Sequence, residues 1–403
     1  MNTTRLWVSL FAVAIASAAS AQDDIHVIKP NAAKTALDLA GLTGPAGGAS
    51  TVFRRTLDAD LIRSGWFTFV HPGAYTVFGS YGESSGNVSA QCQVFGTSRS
   101  TPLLSKTYGQ TAAGARHMAH QVADDIIKAV KNMNGIASGR IAMIGTRTGN
   151  KELFVCDADG GGLLQLTSDR SISLAPRWSP DGSRIAYTSF RRGYPDLYMI
   201  DLRTNGRTCI ANYSGINMPG GFSPNGQDLL MVLSKDGNPE VYVKNLASTR
   251  LTRLTNTPRA GEASPTWSPD GTQVAYVSDL AGPGSPQIYV MGLSGASRRV
   301  TSRGRENVSP NWGPNGWIVY ASRRGGLYSI CRANPQTQED GVEVTHGDAS
   351  YEDPCWAPDG RHIVCTRQDG QTKRLYMLDT MGDPPLCLTP DSGGWSSPAW
   401  CAQ

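Results

Sequence analysis

From Arg140 onward the chain alternates short apolar runs with polar turns, the two-residue period of half-buried strands, whereas the residues before Gly135 mix that period with two longer stretches of helical spacing. Within the strand-rich region one apolar run keeps returning, as Leu197-Tyr198-Met199-Ile200, Val241-Tyr242-Val243, Ile288-Tyr289-Val290-Met291, Leu327-Tyr328-Ser329-Ile330 and Leu375-Tyr376-Met377-Leu378. A second marker accompanies it: Pro176-Arg177-Trp178, Gly220-Gly221-Phe222, Pro265-Thr266-Trp267, Pro310-Asn311-Trp312, Pro354-Cys355-Trp356 and Pro398-Ala399-Trp400. Its aromatic positions stand 44, 45, 45, 44 and 44 residues apart, the repeat length of a four-stranded propeller blade.

After each of the first five aromatics comes a turn phrase, Ser179-Pro180-Asp181-Gly182 and its relatives at 223–226, 268–271, 313–316 and 357–360. Proline presets φ, Asp or Asn bonds its own backbone and Gly accepts positive φ, so the phrase closes a hairpin. Little chain follows Trp400, while strands without an opening partner precede Trp178, at Arg140–Ile144, Leu153–Cys156 and Leu163–Thr167. The C-terminal strand is therefore expected to pair with the first blade and close a ring of six, which also removes exposed sheet edges. An open sandwich explains neither the period nor the incomplete ends.

Before the repeat, Thr51–Ser64 shows helical spacing in Phe53, Leu57, Leu61 and Ile62, followed by a strand at Gly65–Val70. Ser89–Phe95 and Leu103–Tyr108 read as a hairpin, Ala112–Met133 as a long amphipathic helix, and Ala40–Ser50 as a loop. The expected organisation is a small α/β domain over 22–135 followed by an all-β six-bladed propeller over 136–403. A basic start at Arg5, an apolar run Leu6–Ala18 and Ala19-Ser20-Ala21 predict a cleaved signal peptide, 1–21, and an exported product without a membrane span.

Composition changes this picture little. Gly 45 and Pro 24 suit a turn-dense β fold, and 39% hydrophobic residues can fill its core. A net charge of only +4, unclustered, favours neither nucleic acid nor a membrane surface. Eight cysteines in an exported chain permit bridges; Cys355 and Cys365, flanking one hairpin, are the best-placed pair, and buried thiols are the competing reading.

Catalytic spellings fail on context. Gly82-Glu83-Ser84-Ser85-Gly86 resembles a nucleophile elbow but lies in a polar loop, and Asp157-Ala158-Asp159-Gly160 opens like a calcium loop yet lacks its twelfth-position glutamate and falls where a blade turn is due. His117 and His120 could share a metal face on the second helix, but no third ligand is evident, so a packing or interdomain role is assigned. No catalytic residue, metal or cofactor is predicted.

Binding is expected instead on the six connections that lead into the innermost strands, because these converge around the axial channel on a rigid frame. The candidates are Asn217, Met218, Glu262, Ser264, Asn307, Ser309, Tyr351, Glu352, Asp353 and Trp395. Glu262, Glu306, Glu352 and Asp353 could gather at one mouth to attract a hard cation or a basic segment, or stand as separate solvated rim charges.

The combination of signal, "LDADLIRSGWF" (57–67), "RHMAHQVADDIIKAVKNMNGI" (116–136) and the "SPDG" repeats resembles the TolB family of the Tol-Pal envelope system. The resemblance spans nearly the whole mature chain. It implies a monomeric, non-catalytic periplasmic scaffold that holds a peptidoglycan-associated outer-membrane lipoprotein on a propeller face. It also implies contact with TolA, an inner-membrane protein, through an N-terminal segment, here Asp24, Ile25, His26, Val27 and Ile28 within Gln22–Lys29. The alternative is an exported propeller hydrolase or small-ligand binder; the short remainder after Trp400 is expected to leave no place for a hydrolase domain.

Overall fold

A computed structural model describes residues 33–401 apart from Arg99 and Asp348. The signal segment and Asp24–Ile28 lie outside the described residues. Residues 35–131 form β1 (Thr35–Asp38), β2 (Leu42–Thr43), α1 (Gly48–Arg63), β3 (Phe67–Phe69), β4 (Tyr75–Ser84), β5 (Asn87–Phe95), β6 (Leu104–Thr111) and α2 (Ala115–Lys131). The sheet runs β3-β1-β4-β5-β6 with β2 on β4. Both helices lay one face on it: Phe53, Leu57 and Leu61 of α1, and Met118, Val122 and Ile126 of α2, are fully buried.

Ile62, expected on the buried face of α1, is 58% exposed, because it follows the stripe by one residue and so turns away. The 40–50 segment is not all loop: it holds β2 and the first residues of α1. Two strands escape the sequence reading, β1 and β4, since Gly79 and Gly82 break the alternation of β4. At Gly79 the reason is space: a Cβ there would sit 1.8 Å from the carbonyl oxygen of Gln91 across the ladder, and its φ is +147°.

The described residues from Arg140 onward form six four-stranded antiparallel sheets. Five are sequential; the sixth takes its innermost strand, Ser396–Trp400, from the C-terminus and sets it against Arg140–Gly145, with Glu152–Asp157 and Leu164–Gln165 outside. The closing register places Trp400 opposite Ile141 and Ala399 opposite Ala142. Backbone bonds extend it at both ends, from Cys401 N–H to Arg140 O and from Thr146 N–H to Gly393 O, each 2.8 Å. Two of the repeated aromatics clasp the neighbouring blade: the Trp178 indole N–H donates to Ala399 O at 3.0 Å across the closure, and that of Trp267 to Gly221 O at 3.0 Å.

The serine-containing turn phrases explain their recurrence. Ser179 Oγ donates to Asp181 and accepts from Arg184 N–H, and Ser268 does the same with Asp270 and Gln273 N–H, so the hydroxyl satisfies both legs of the hairpin. The eight cysteines are free thiols. For Cys355 and Cys365 the register gives the reason: Cys355 lies opposite Val364, which puts the two side chains on opposite faces of the sheet.

The two folding units meet along a polar seam. Arg361 places its guanidinium 4.3 Å from the centre of the Trp66 ring, donates to Gly65 O and pairs with Asp379, while Asp124 of α2 accepts from the N–H groups of Ala137 and Ser138 at 2.9 Å each.

Trp400 is 6% exposed and packs in the cluster holding Ile136, Ile141 and Ala357. Replacing it with alanine opens a cavity at the closure and is expected to lower stability by about 3–5 kcal/mol in urea unfolding. A loss below about 1 kcal/mol would show that the closing strand contributes little.

Candidate partner-binding face

The innermost strands touch one another only around the axis, each against the innermost strands of both neighbouring blades. Their residues can therefore be compared by distance from the repeated aromatic, and this offset sorts the candidates. Five positions before the aromatic stand Ser173, Asn217, Glu262, Asn307, Tyr351 and Trp395, and all six are buried, none more than 7% exposed. Asn217 Nδ2 donates to Tyr213 O at 2.7 Å while its oxygen accepts from Tyr213 N–H, and Asn307 Nδ2 donates to Gln287 Oε1 and Arg303 O. Trp395 packs edge-on against Phe154 at 5.1 Å, and Tyr351 lies under Arg367.

Asn217, Glu262, Asn307, Tyr351 and Trp395 are thus corrected from contact surface to the supports of the face. The amides and the carboxylate here are engaged by their own loops and by adjoining strands, through Tyr213 for Asn217, Thr257 and Ser278 for Glu262, and Gln287 and Arg303 for Asn307. The remaining candidates, Met218, Ser264, Ser309, Glu352 and Asp353, are only half-buried and sit three or four positions before the aromatic.

Three positions before it the backbone adopts a left-handed turn in five blades: Ala175, Ser264, Ser309, Asp353 and Ser397 have φ between 49° and 53°. Each marks a register shift in its strand, so the inner strand bulges where it passes the axis. The Phe222 blade differs because Pro219 occupies that position and cannot take positive φ. The proline is displaced by one, and Gly220 fills the next place, where a Cβ would lie 2.7 Å from Pro265 O.

Asp353 is the centre of this arrangement. Ser309 Oγ of one neighbouring blade donates to its Oδ1 at 3.1 Å, and Ser397 Oγ of the other donates to its Oδ2 at 3.0 Å. The sequence reading missed the ring one position before the aromatic, although the constant offset was a signal that could have found it. There, in two blades, the side chain reaches the next blade: Asn311 Oδ1 accepts from Trp356 N–H at 2.8 Å, and Cys355 Sγ accepts from Trp400 N–H at 3.2 Å. Arg177 belongs to the same ring; burial draws its pKa down, and the neighbouring Cys355 and Asp353 oppose that. A guanidinium keeps its proton in any case, so the face offers a fixed cation beside the Asp353 carboxylate.

The four loop carboxylates do not gather. Glu306 pairs with Arg323 at 2.8 Å and accepts from Tyr328 OH, Glu352 lies 3.6 Å from Lys373, and Asp353 is held by the two serines. Glu262 is buried beside Glu240, with Thr257 Oγ1 donating to it at 2.7 Å and Ser278 Oγ at 2.9 Å. Burial, and behind it the charge of Glu240, pushes Glu262 up to about 7; Glu240, with Arg253 at 2.8 Å and bonds from Thr255 and Thr257, is held down against its own burial. The two share a proton below neutral pH.

The other motifs fall into turns. Gly82–Ser84 end β4 and Ser85-Gly86 form the tip leading into β5, so a strand rather than a helix follows. Asp157–Gly160 is a blade turn closed by Gly160 N–H on Asp157 O at 2.9 Å. His117 stands exposed near Gln121, whereas His120 is buried. Among the described residues no helix is long and apolar enough to cross a membrane.

A ring of six sheets closed by its own C-terminus, with its inner loops around one axis and a small α/β unit before it, defines a protein of the closed-propeller class. A family model described as the TolB beta propeller domain matches residues 128–403, and the chain belongs to that family. It is 30% identical over 221 residues to a "Protein TolB homolog" of Chlorobium luteolum, covering 55% of this chain and 50% of that one. It is 35% identical over 143 residues to the "Tol-Pal system protein TolB" of Geobacter metallireducens, 35% of this chain and 32% of that one. The matched stretches thus span half or less of these curated relatives. Among solved structures, TolB from Acinetobacter baumannii superposes with a TM-score of 0.79 at 25% identity, over 93% of this chain and 98% of that one.

The Glu262 proton makes stability pH-dependent. Because the folded state holds it more tightly than the unfolded chain, its contribution is full below the ordinary value of 4.5 and is lost as pH rises through about 7. Glu262→Gln, whose amide can donate to Glu240, should remove that loss, so the variant gains about 1–3 kcal/mol relative to wild type between pH 5 and pH 8 in urea unfolding. Parallel pH profiles for the two proteins would contradict the shared proton.

Proposed function

We propose that the protein is a non-catalytic periplasmic scaffold of the Tol-Pal system. It holds a peptidoglycan-associated lipoprotein on the axial face of the propeller and reaches an inner-membrane TolA-like partner through Asp24–Ile28, linking the two membranes for envelope integrity and cell division. The observation that carries this reading is the likeness to TolB from Acinetobacter baumannii, which runs through both the α/β unit and the propeller. Two features of the face support it. Its accessible groups, Met218, Ser264, Ser309, Glu352 and Asp353 with Arg177 beside them, mix an apolar anchor, hydroxyls and opposite charges, the makings of a polar protein interface. Their backbone is held by buried supports and by the ring, so a partner meets a face already in its binding shape.

Export fits the same reading: residues 1–21 carry the signal pattern, and a mature chain from Gln22 would display the 24–28 segment at its very start. With no nucleotide or cofactor motif in the sequence, force in such a system comes from the partners.

The mature protein, used as bait on extract of its native envelope, should retain a lipoprotein with a peptidoglycan-binding domain. Asp353→Ala is expected to weaken that capture by about tenfold or more while leaving the melting temperature within a few degrees, as for an interface anchor. Asn307→Ala should instead lower the melting temperature, by unpairing buried groups. Retention of no such lipoprotein, or equal capture by Asp353→Ala and wild type, would count against the proposed function and face respectively.

A further inference from the structure

The helix α2 presents Arg116, His120 and Asp124, four residues apart, to the propeller, and His120 is the least explained of the three. Its side chain is 3% exposed, and its Nδ1 lies 2.6 Å from Oδ2 of Asp60, whose own side chain is fully buried. Asp60 also accepts from Arg63 Nη1 at 2.7 Å, and with its oxygens acting as acceptors Nδ1 is the nitrogen that carries the proton toward it. That leaves Nε2, which is buried and has no hydrogen-bond partner among the described residues. A buried ring nitrogen without a partner is costly and calls for an account.

What faces His120 is the first blade turn of the propeller. One ring nitrogen of His120 and one carboxylate oxygen each of Asp157 and Asp159 lie within 4.8 Å of one another. The two aspartates are bridged by Arg116, whose Nη2 is 2.9 Å from both. The Arg116 side chain is itself 37% exposed and has solvent to swing into.

A carboxylate fixing one imidazole nitrogen so that the other is free, with two more carboxylates in front of it, is the arrangement in which histidine serves as a metal ligand. We propose that Nε2 of His120 and the carboxylates of Asp157 and Asp159 form a site for one divalent first-row cation, Zn²⁺ by preference, with Arg116 as its competitor for the aspartates. Three nitrogen and oxygen donors leave a fourth position for water, as a tetrahedral Zn²⁺ takes, and the absence of a thiolate in the set points away from soft ions. Donors at about 2.0–2.2 Å from one ion stand within roughly 4 Å of each other, so the aspartate side chains close slightly on the turn once Arg116 withdraws. Because His120 belongs to α2 and the aspartates to the propeller, the ion would pin the α/β unit to the ring. Neither half of the site contains enough ligands by itself, which is why the sequence, read locally, lacked a third ligand for the histidines.

The test is calorimetric titration of the metal-free, full-length mature protein with Zn²⁺ alone, repeated with Co²⁺ for its visible spectrum. Wild type should bind one ion, and the Co²⁺ form should lack the strong absorption of a thiolate ligand, which separates this site from the free cysteines. Asp159→Asn should weaken binding by at least about tenfold and Arg116→Ala should tighten it by a similar factor, while His117→Ala, one position off the buried face, leaves it unchanged. Circular dichroism in EDTA establishes that each variant is folded; if Asp159→Asn is not, Asp157→Asn replaces it and the direction of the Arg116→Ala change stands by itself. Absence of binding, thiolate absorption in the Co²⁺ form, equal affinity for wild type and the aspartate variants, or weaker binding by Arg116→Ala would each overturn the site.

Discussion

The constraint on which the rest of this protein depends is closure: a strand from the far end of the chain must zip onto Arg140–Gly145 before six sheets can share one axis. Closure does more than hide a sheet edge. It fixes the distance of every innermost strand from the axis, and with it the role of each residue counted back from the repeated aromatic. Five positions back a side chain is buried whatever its chemistry, whether the serine of one blade or the tryptophan of another. One position back, Asn311 and Cys355 reach the next blade. The half-buried residues of the axial face are the narrow set between, and that face is accordingly built by geometry first and composition second.

That narrow set sits on strained backbone. Positive φ in a residue other than glycine costs on the order of 1–3 kcal/mol, and here it recurs in five blades immediately before a proline, a place where the chain already has little freedom. The neighbouring blades sustain it: Asp353 stays in place because serines from both sides bind its carboxylate. Rigidity of this kind suits the proposed recognition, since a partner would not need to order the surface it binds. The same buried supports carry a liability in the Glu240–Glu262 pair, two carboxylates in one dry site whose shared proton ties the stability of the face to pH.

Much of this was legible in the sequence, and the reasons for the exceptions are physical. The blade period, the turn phrases and the closing strand could be read because each rests on local chemistry repeated many times. The face was half legible. Asn217, Asn307 and Trp395 look like recognition residues by type, and only their offset from the aromatic reveals that the loop consumes them. In the α/β unit α1 and α2 announce themselves by periodicity, but β4 does not, because Gly79 must let a neighbouring strand approach more closely than any side chain permits. Least legible was the seam between the two units. Arg116 and Asp159, or Trp66 and Arg361, meet only after both units have folded, and no spacing along the chain foretells such a pair.

Closure can be tested directly by native-state hydrogen exchange at its two ends, the amides of Cys401 and Thr146, which donate to Arg140 O and Gly393 O. A ring that is sealed as a unit predicts that both exchange only through global unfolding, with the same free energy as amides in the middle of the other blades. Exchange by local fraying, fast while the remaining blades stay protected, would mean that the last strand is an accessory and that the axial frame does not depend on it.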